Sequence, residues 1–290
     1  MIRTSAAPRT LDLRTHQVAF LEHGPTDSDA APMVLLHGGG LDRRMWLEQL
    51  DAFGGRRIFA LDARSHGATR APNEPHRLGD DVVEFLDAFT IDRAVLVGLS
   101  MGGATAVDVA LEYPDRVAAL IVSGTGTSEP DFHDPWVLDI LTTWQRAQAA
   151  GDKERWIEAF QRFAPGPHRR PEDVAPDMMR RLDEMVRDTL ANHLRLDKQG
   201  FPIPPIPATP VTDTWARLPQ IDVPVLAMVG SLDGEDHHRM AKRLADTVPQ
   251  GEFAVVDNAA HYPNLESPQV FNDLIAEHLA VRLESCEGNL

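Results

Sequence analysis

Short apolar, β-branched runs alternate along this chain with stretches whose apolar positions recur every three or four residues. Residues 18–22 (VAFLE), 33–36 (MVLL), 57–61 (RIFAL), 94–97 (AVLV) and 117–123 (VAALIVS) read as strands, and 224–229 and 253–256 resume the series. Most of these runs are almost continuously apolar rather than alternating, as expected of strands covered on both faces in a parallel sheet. Between them, residues 45–53, 78–89, 103–113, 236–247 and 268–280 carry helical spacing. The alternation predicts an α/β fold built on a mostly parallel, doubly wound sheet.

The series breaks between about Glu129 and Arg217, where no convincing strand stands. Trp136, Ile140, Leu141 and Trp144 recur at helical spacing, as do Trp156, Ile157 and Phe160, then Met178, Met179, Leu182, Met185, Val186 and Leu190. The segment 201–210 (FPIPPIPATP) holds five prolines, which remove backbone donors and exclude both helix and central strand. The expectation is a helical cap, residues 129–217, inserted into a core made of residues 1–128 and 218–290. The proline segment would be its stiff return strap. An ordinary run of helices on one face of the sheet is the plainer alternative.

Composition narrows the function. With 43% apolar residues among 290, the chain can bury a sizeable core, which excludes disorder as its overall state. Its 28 basic and 44 acidic side chains give a formal charge of −16, which opposes nucleic acid and an acidic membrane surface as partners. The single cysteine, Cys286, can close no intrachain disulfide, so no oxidising compartment is implied. No secretory-type apolar stretch opens the sequence, and no run approaches the roughly 20 apolar residues that span a bilayer. A cytoplasmic location is the default expectation.

The sharpest chemical signal is residues 94–103, AVLVGLSMGG, in which Gly98, Ser100 and Gly102 satisfy G-x-S-x-G. Small residues flank the serine because side chains there would collide across a tight strand-to-helix turn that lifts the hydroxyl clear of the backbone. A serine hydroxyl needs a general base within hydrogen-bond reach, and histidine suits that work near neutral pH. Of twelve histidines, His261 is placed best, in the loop VVDNAAHYP after the last strand, where sites in open α/β sheets gather. Asp233, directly after the preceding strand, is the candidate to fix the imidazole tautomer. The rivals Glu235 and Asp236 fall where the next helix begins. His237 and His238 read as a solvated pair rather than metal ligands, and His66 as a turn residue. The oxyanion would be met by the backbone N–H of Met101 and by that of Gly39 in the HGGG loop at 37–40, with Gly40 as a near rival. His37 is expected to orient that loop.

Five stretches together resemble a known family: HGGGLDRRMW at 37–46, ALDARSHGATRAP at 60–72, VGLSMGG at 97–103, VPVLAMVGSLDG at 223–234 and DNAAHYPNLESP at 257–268. The chain is similar to the α/β-hydrolase-fold serine hydrolases, most of all to the 3-oxoadipate enol-lactonase-like group. The resemblance implies a Ser100, Asp233, His261 triad, oxyanion donors at Gly39 and Met101, and chemistry that uses neither cofactor nor metal. Ser65 departs from the group's usual glycine, and the cap is longer than an enol-lactonase leads one to expect, so the enol-lactone itself does not carry over. Members with an aspartate nucleophile are disfavoured by Ser100.

The expected activity is hydrolysis of a small carboxylic ester or lactone through an acyl-enzyme. A carbon–carbon bond hydrolase of the same fold, or a ligand-binding receptor with a vestigial triad, is the alternative; a lyase or a cofactor-free oxygenase is less favoured. Aromatic and Met residues of the cap (Trp136, Trp144, Trp156, Phe160, Phe163 and Met178 among them) suit an apolar or aromatic small-molecule substrate, although each could equally pack the cap on the core. Arg146 and Arg162 are candidates to hold a carboxylate, with a solvated surface role the plainer reading.

Overall fold

Each apolar run becomes a strand within a residue or two of its predicted bounds. The computed structural model describes residues 7–200 and 202–284; Phe201 and Cys286 lie outside them. Its strands are β1 (Arg9–Asp12), β2 (Gln17–His23), β3 (Met33–Leu36), β4 (Ile58–Leu61), β5 (Ala94–Leu99), β6 (Val117–Ser123), the two-residue β7 (Arg195–Leu196) and β8 (Pro202–Ile203), β9 (Val225–Gly230) and β10 (Gly251–Val256). Eight of them form one sheet in the order β1-β2-β4-β3-β5-β6-β9-β10. Pairing is parallel from β4 through β10 and antiparallel where β2 meets β1 and β4.

The continuous apolar character of the central strands has a direct cause. Successive side chains point to opposite faces, so Met33 and Leu35 enter one apolar cluster while Val34 and Leu36 enter the other. The first cluster is closed by α1 (Leu47–Leu50) and, at the far end of the chain, by α10 (Pro268–Leu279), which follows the short α9 (Pro263–Glu266). The second is closed by α2 (Leu78–Ala88), α3 (Met101–Glu112) and α8 (Glu235–Thr247). Helices on both faces make the sheet doubly wound, as expected.

The 129–217 stretch runs between β6 and β9, which are neighbours in the sheet. It holds α4 (Pro135–Ala150), α5 (Lys153–Gln161), α6 (Pro176–His193) and the single turn α7 (Thr214–Arg217). Asp134 caps α4 by accepting from Trp136 N–H at 2.9 Å, and Gly151 ends it at φ 67°. The apolar stripes of α4, α5 and α6 (Ile140, Ile157, Leu182, Met185) join the α10 side of the core. Arg181 of α6 reaches Glu48 at 2.8 Å, and Arg44 reaches Asp188 at 2.8 Å. Val211 and Trp215, by contrast, join the opposite cluster beside α8.

Two differences from the sequence expectation are local. β1 went unpredicted because its four residues are mostly exposed and carry little apolar signal. The β7–β8 ribbon places a strand residue at Pro202, inside the proline segment; the pairing is antiparallel and only two residues long, which a proline tolerates because no central ladder is interrupted. No helix of the described residues is long and apolar enough to cross a membrane.

Candidate active site

Ser100 stands between β5 and α3 with φ 53° and ψ −115°, a backbone conformation that is strained for any side chain and raises the hydroxyl above the sheet edge. Its own main chain is fixed on both sides: Ser100 N–H donates to Ser123 O at 2.8 Å, and Ala104 N–H donates to Ser100 O at 3.0 Å. The flanking glycines are required by close approach. A Cβ on Gly98 would lie 2.2 Å from Gly102 O, and one on Gly102 would lie 2.0 Å from Leu36 O. Both obstacles are main chain, so neither can yield cheaply.

Asp233 and His261 converge from the loops after β9 and β10. Each is 3% exposed, and His261 Nδ1–H donates to Asp233 Oδ2 at 2.9 Å. Burial alone would raise the Asp233 pKa, but His237 and His261 together outweigh it and hold the carboxyl well below the usual range. For His261 burial is the main cause and lowers the pKa; Asp233 opposes the shift, while His237 reinforces it. A neutral ring whose Nδ1 donates leaves the Nε2 lone pair free to accept a proton. The imidazole rests on the backbone at the end of β6: a Cβ on Gly124 would meet its Cε1 at 3.0 Å. Gly124 follows Ser123, the residue whose carbonyl holds Ser100 N–H. The serine's main chain and the imidazole thus rest on adjacent residues at the end of β6; among the described residues no hydrogen bond joins the Ser100 hydroxyl to His261.

The HGGG loop flanks the start of α3. His37 donates from Nδ1 to Gly38 O and accepts Ala63 N–H at Nε2, both at 2.8 Å, so the ring orients the HGGG loop, as expected, by fastening it to the turn after β4. A Cβ on Gly39 would first meet Met101 Sδ at 3.8 Å, which places Gly39 beside Met101. Neither backbone N–H, of Gly39 or of Met101, has a partner among the described residues. At Gly40 (φ +74°) a Cβ would lie 3.0 Å from Phe160 Cε2.

Residues 33–274 match the alpha/beta hydrolase family. The chain belongs to that family. It is 28% identical over 273 residues to carboxylesterase YbfK of Bacillus subtilis, covering 92% of this chain and 84% of that one. The crystal structure of YbfK superposes with a TM-score of 0.73 over 97% of this chain and 94% of that one, at 24% identity. A 2-hydroxy-6-oxononadienedioate/2-hydroxy-6-oxononatrienedioate hydrolase of Paraburkholderia phymatum is 28% identical over 282 residues, covering 92% of this chain and 91% of that one. The 3-oxoadipate enol-lactonase 2 of Acinetobacter baylyi is 26% identical over 257 residues, covering 86% and 88%.

In this alpha/beta hydrolase the rival residues have other work. Asp236 accepts His133 N–H at 2.7 Å and Asp134 N–H at 2.6 Å, anchoring the start of α4, and Glu235 is exposed. His66 Nδ1 lies 2.9 Å from Arg64 O within its turn. The expectation of a solvated His237/His238 pair is corrected at His237. It is 4% exposed, because α8 begins at Glu235 and its first turn aims residue 237 back at Asp233. The i,i+4 spacing of Asp233 and His237 was the available signal. Together Asp233, His237 and His261 bring potential metal-ligand atoms within 4.8 Å of one another, but those atoms are already hydrogen-bonded to each other. Phe163 covers the site, its ring centroid 5.1 Å from that of His261, and Trp136 lies edge-on to Phe163 at 5.7 Å. Arg146 is exposed, and Arg162 pairs at the surface with Asp139 at 2.7 Å.

Proposed function

We propose that this alpha/beta hydrolase cleaves a small carboxylic ester or lactone through an acyl-enzyme formed on Ser100. The observation that carries the reading is a strained serine at a strand-to-helix turn, its main chain bonded to the end of β6, where an imidazole whose Nδ1–H is held by a buried carboxylate also rests. Ser100 Oγ attacks the carbonyl carbon while His261 Nε2 takes its proton, and Asp233 steadies the imidazolium. The serine-to-imidazole hydrogen bond forms as substrate settles, since such bonds commonly tighten in the Michaelis complex. Negative charge on the carbonyl oxygen is met by the N–H groups of Gly39 and Met101, the latter at the positive end of α3. His261 then protonates the departing alkoxide and afterwards activates the water that releases the acid. No step calls for a metal or a nucleotide.

In this reading residues 129–217 form the cap and residues 1–128 with 218–290 the core. The aromatic roof of Phe160, Phe163 and Trp136 favours an apolar or aromatic small molecule. A cytoplasmic setting fits a chain whose one cysteine, Cys286, can close no intrachain disulfide.

The test offers purified protein p-nitrophenyl esters, simple lactones and a vinylogous 1,5-diketone. Ester or lactone turnover is expected, with Ser100→Ala folded but slower in kcat by about a thousandfold or more. A fluorophosphonate should label Ser100 alone and fail to label His261→Ala. Turnover of the diketone only would move the assignment to carbon–carbon bond hydrolysis, and near-normal turnover by Ser100→Ala would remove the serine from the mechanism.

A further inference from the structure

The carboxylate that holds His261 is itself shared with a second imidazole. His237 Nδ1 lies 2.7 Å from Asp233 Oδ1, while His261 Nδ1 lies 2.9 Å from Oδ2. The two rings stand with centroids 4.4 Å apart and planes at 34°. Gly234 N–H also donates to Oδ1, at 2.8 Å. Orienting the carboxylate needs one donor on the oxygen away from His261, and this backbone N–H already supplies it. The second imidazole does something further. Each hydrogen bond to a carboxylate draws charge from it and lowers its basicity, so a carboxylate divided between two rings supports a proton on either one less strongly. Phe132 and Phe163 flank His237 with ring centroids at 6.1 Å, so the ring stands in largely apolar surroundings.

We propose that His237 is a positioning residue of this site: by holding Oδ1 of Asp233 it sets how strongly the carboxylate supports a proton on His261. The inference rests on the roles given above to Ser100, His261 and Asp233. Among the described residues, the titratable groups beside these side chains include Tyr262, whose ring is 5.3 Å from that of His261, and Glu266 of α9, which feels the charge of Asp233 and pairs with Arg169 at 2.7 Å. Both are common to parent and variants. Without His237 the charge of Asp233 falls wholly on His261, protonated His261 gains support, and the base is lost at a higher pH.

The experiment compares the parent with His237→Leu, His237→Asn and His237→Gln by the pH profile of kcat/KM on an ester and by low-field proton NMR. Asparagine places an amide N–H where Nδ1 stands; glutamine carries its amide one carbon too far. The acid limb should rise by about half a unit to one unit in the Leu and Gln variants and return to the parental position in the Asn variant. The parent should show two low-field imidazole N–H resonances, and the Leu variant one, displaced from either. If the Leu variant does not fold, the Asn and Gln pair decides by the same criterion. Identical limbs in Asn and Gln, or a parental limb in Leu, would overturn the proposal. If no protein turns over ester at all, the ester reading fails separately, and the NMR still judges the coupling: a His261 resonance unmoved by loss of His237 refutes it.

Discussion

Gly102→Ala tests the packing that lifts Ser100. The added methyl would stand 2.0 Å from Leu36 O and 2.7 Å from His37 O, the nearer some 1.4 Å inside the 3.4 Å at which ordinary contact begins. Both oxygens belong to main chain at the end of β3 and the start of the HGGG loop, so no side-chain rotation relieves the overlap. Either the first turn of α3 moves off β3 or the loop that presents Gly39 is displaced. Overpacking of this kind costs about 1–3 kcal/mol, equivalent to a fall in melting temperature of roughly 2–5 °C for a chain of this size. A displacement of about 1 Å at a reacting group costs on the order of a hundredfold in turnover. Thermal melts followed by circular dichroism and kcat/KM on a p-nitrophenyl ester read the two effects separately. Two controls bracket the result. A Cβ on Gly54 meets nothing within 4 Å, and one on Gly39 meets only Met101 side-chain atoms at 3.8 and 3.9 Å, so alanine at either position should melt like the parent. A Gly102→Ala protein with parental melting temperature and turnover would show that the turn is not sterically defined.

Two further outcomes follow from the same structure. Because burial holds the His261 pKa below that of a free imidazole, the acid limb of kcat/KM should have its midpoint below about 6.5, and a midpoint at 7 or above contradicts the burial argument. The same group makes stability fall with acid: it is fully present above the unfolded pKa and declines as pH drops toward the folded value, because the unfolded chain takes up the proton first. Ser65 sits at φ 61°, in the region that favours glycine, and its side chain makes no hydrogen bond among the described residues. Ser65→Gly should therefore stabilise by up to about 1 kcal/mol in urea unfolding, strain relief being partly offset by a freer unfolded chain; a less stable variant would mean that the turn is not strained.

The parallel sheet and the serine turn could be read from the sequence because their causes are local. A strand buried on both faces must be apolar at every position, and β3, β4, β5 and β9 are buried throughout. A turn with Cβ positions 2.0–2.2 Å from backbone must have glycine there. Asp233 and His261 could be placed at strand ends by their order alone. β1 escaped notice because four mostly exposed residues carry no such constraint. His237 escaped because its neighbour His238 made the pair look solvated, and only the point where α8 begins decides which of the two turns inward.

The sequence by itself determined which segments are strands, where the chain must bend sharply at Ser100, and which residue types stand at the strand ends. The tertiary structure decided which of those ends meet. Sheet order sets β9 between β6 and β10, and that neighbourhood brings Asp233, His237 and His261 together beside Gly124, with Phe163 from the turn after α5 over them. Backbone sterics act across a few residues and leave their mark in composition. Contacts between distant segments depend on how whole elements pack, and no short window of sequence records that.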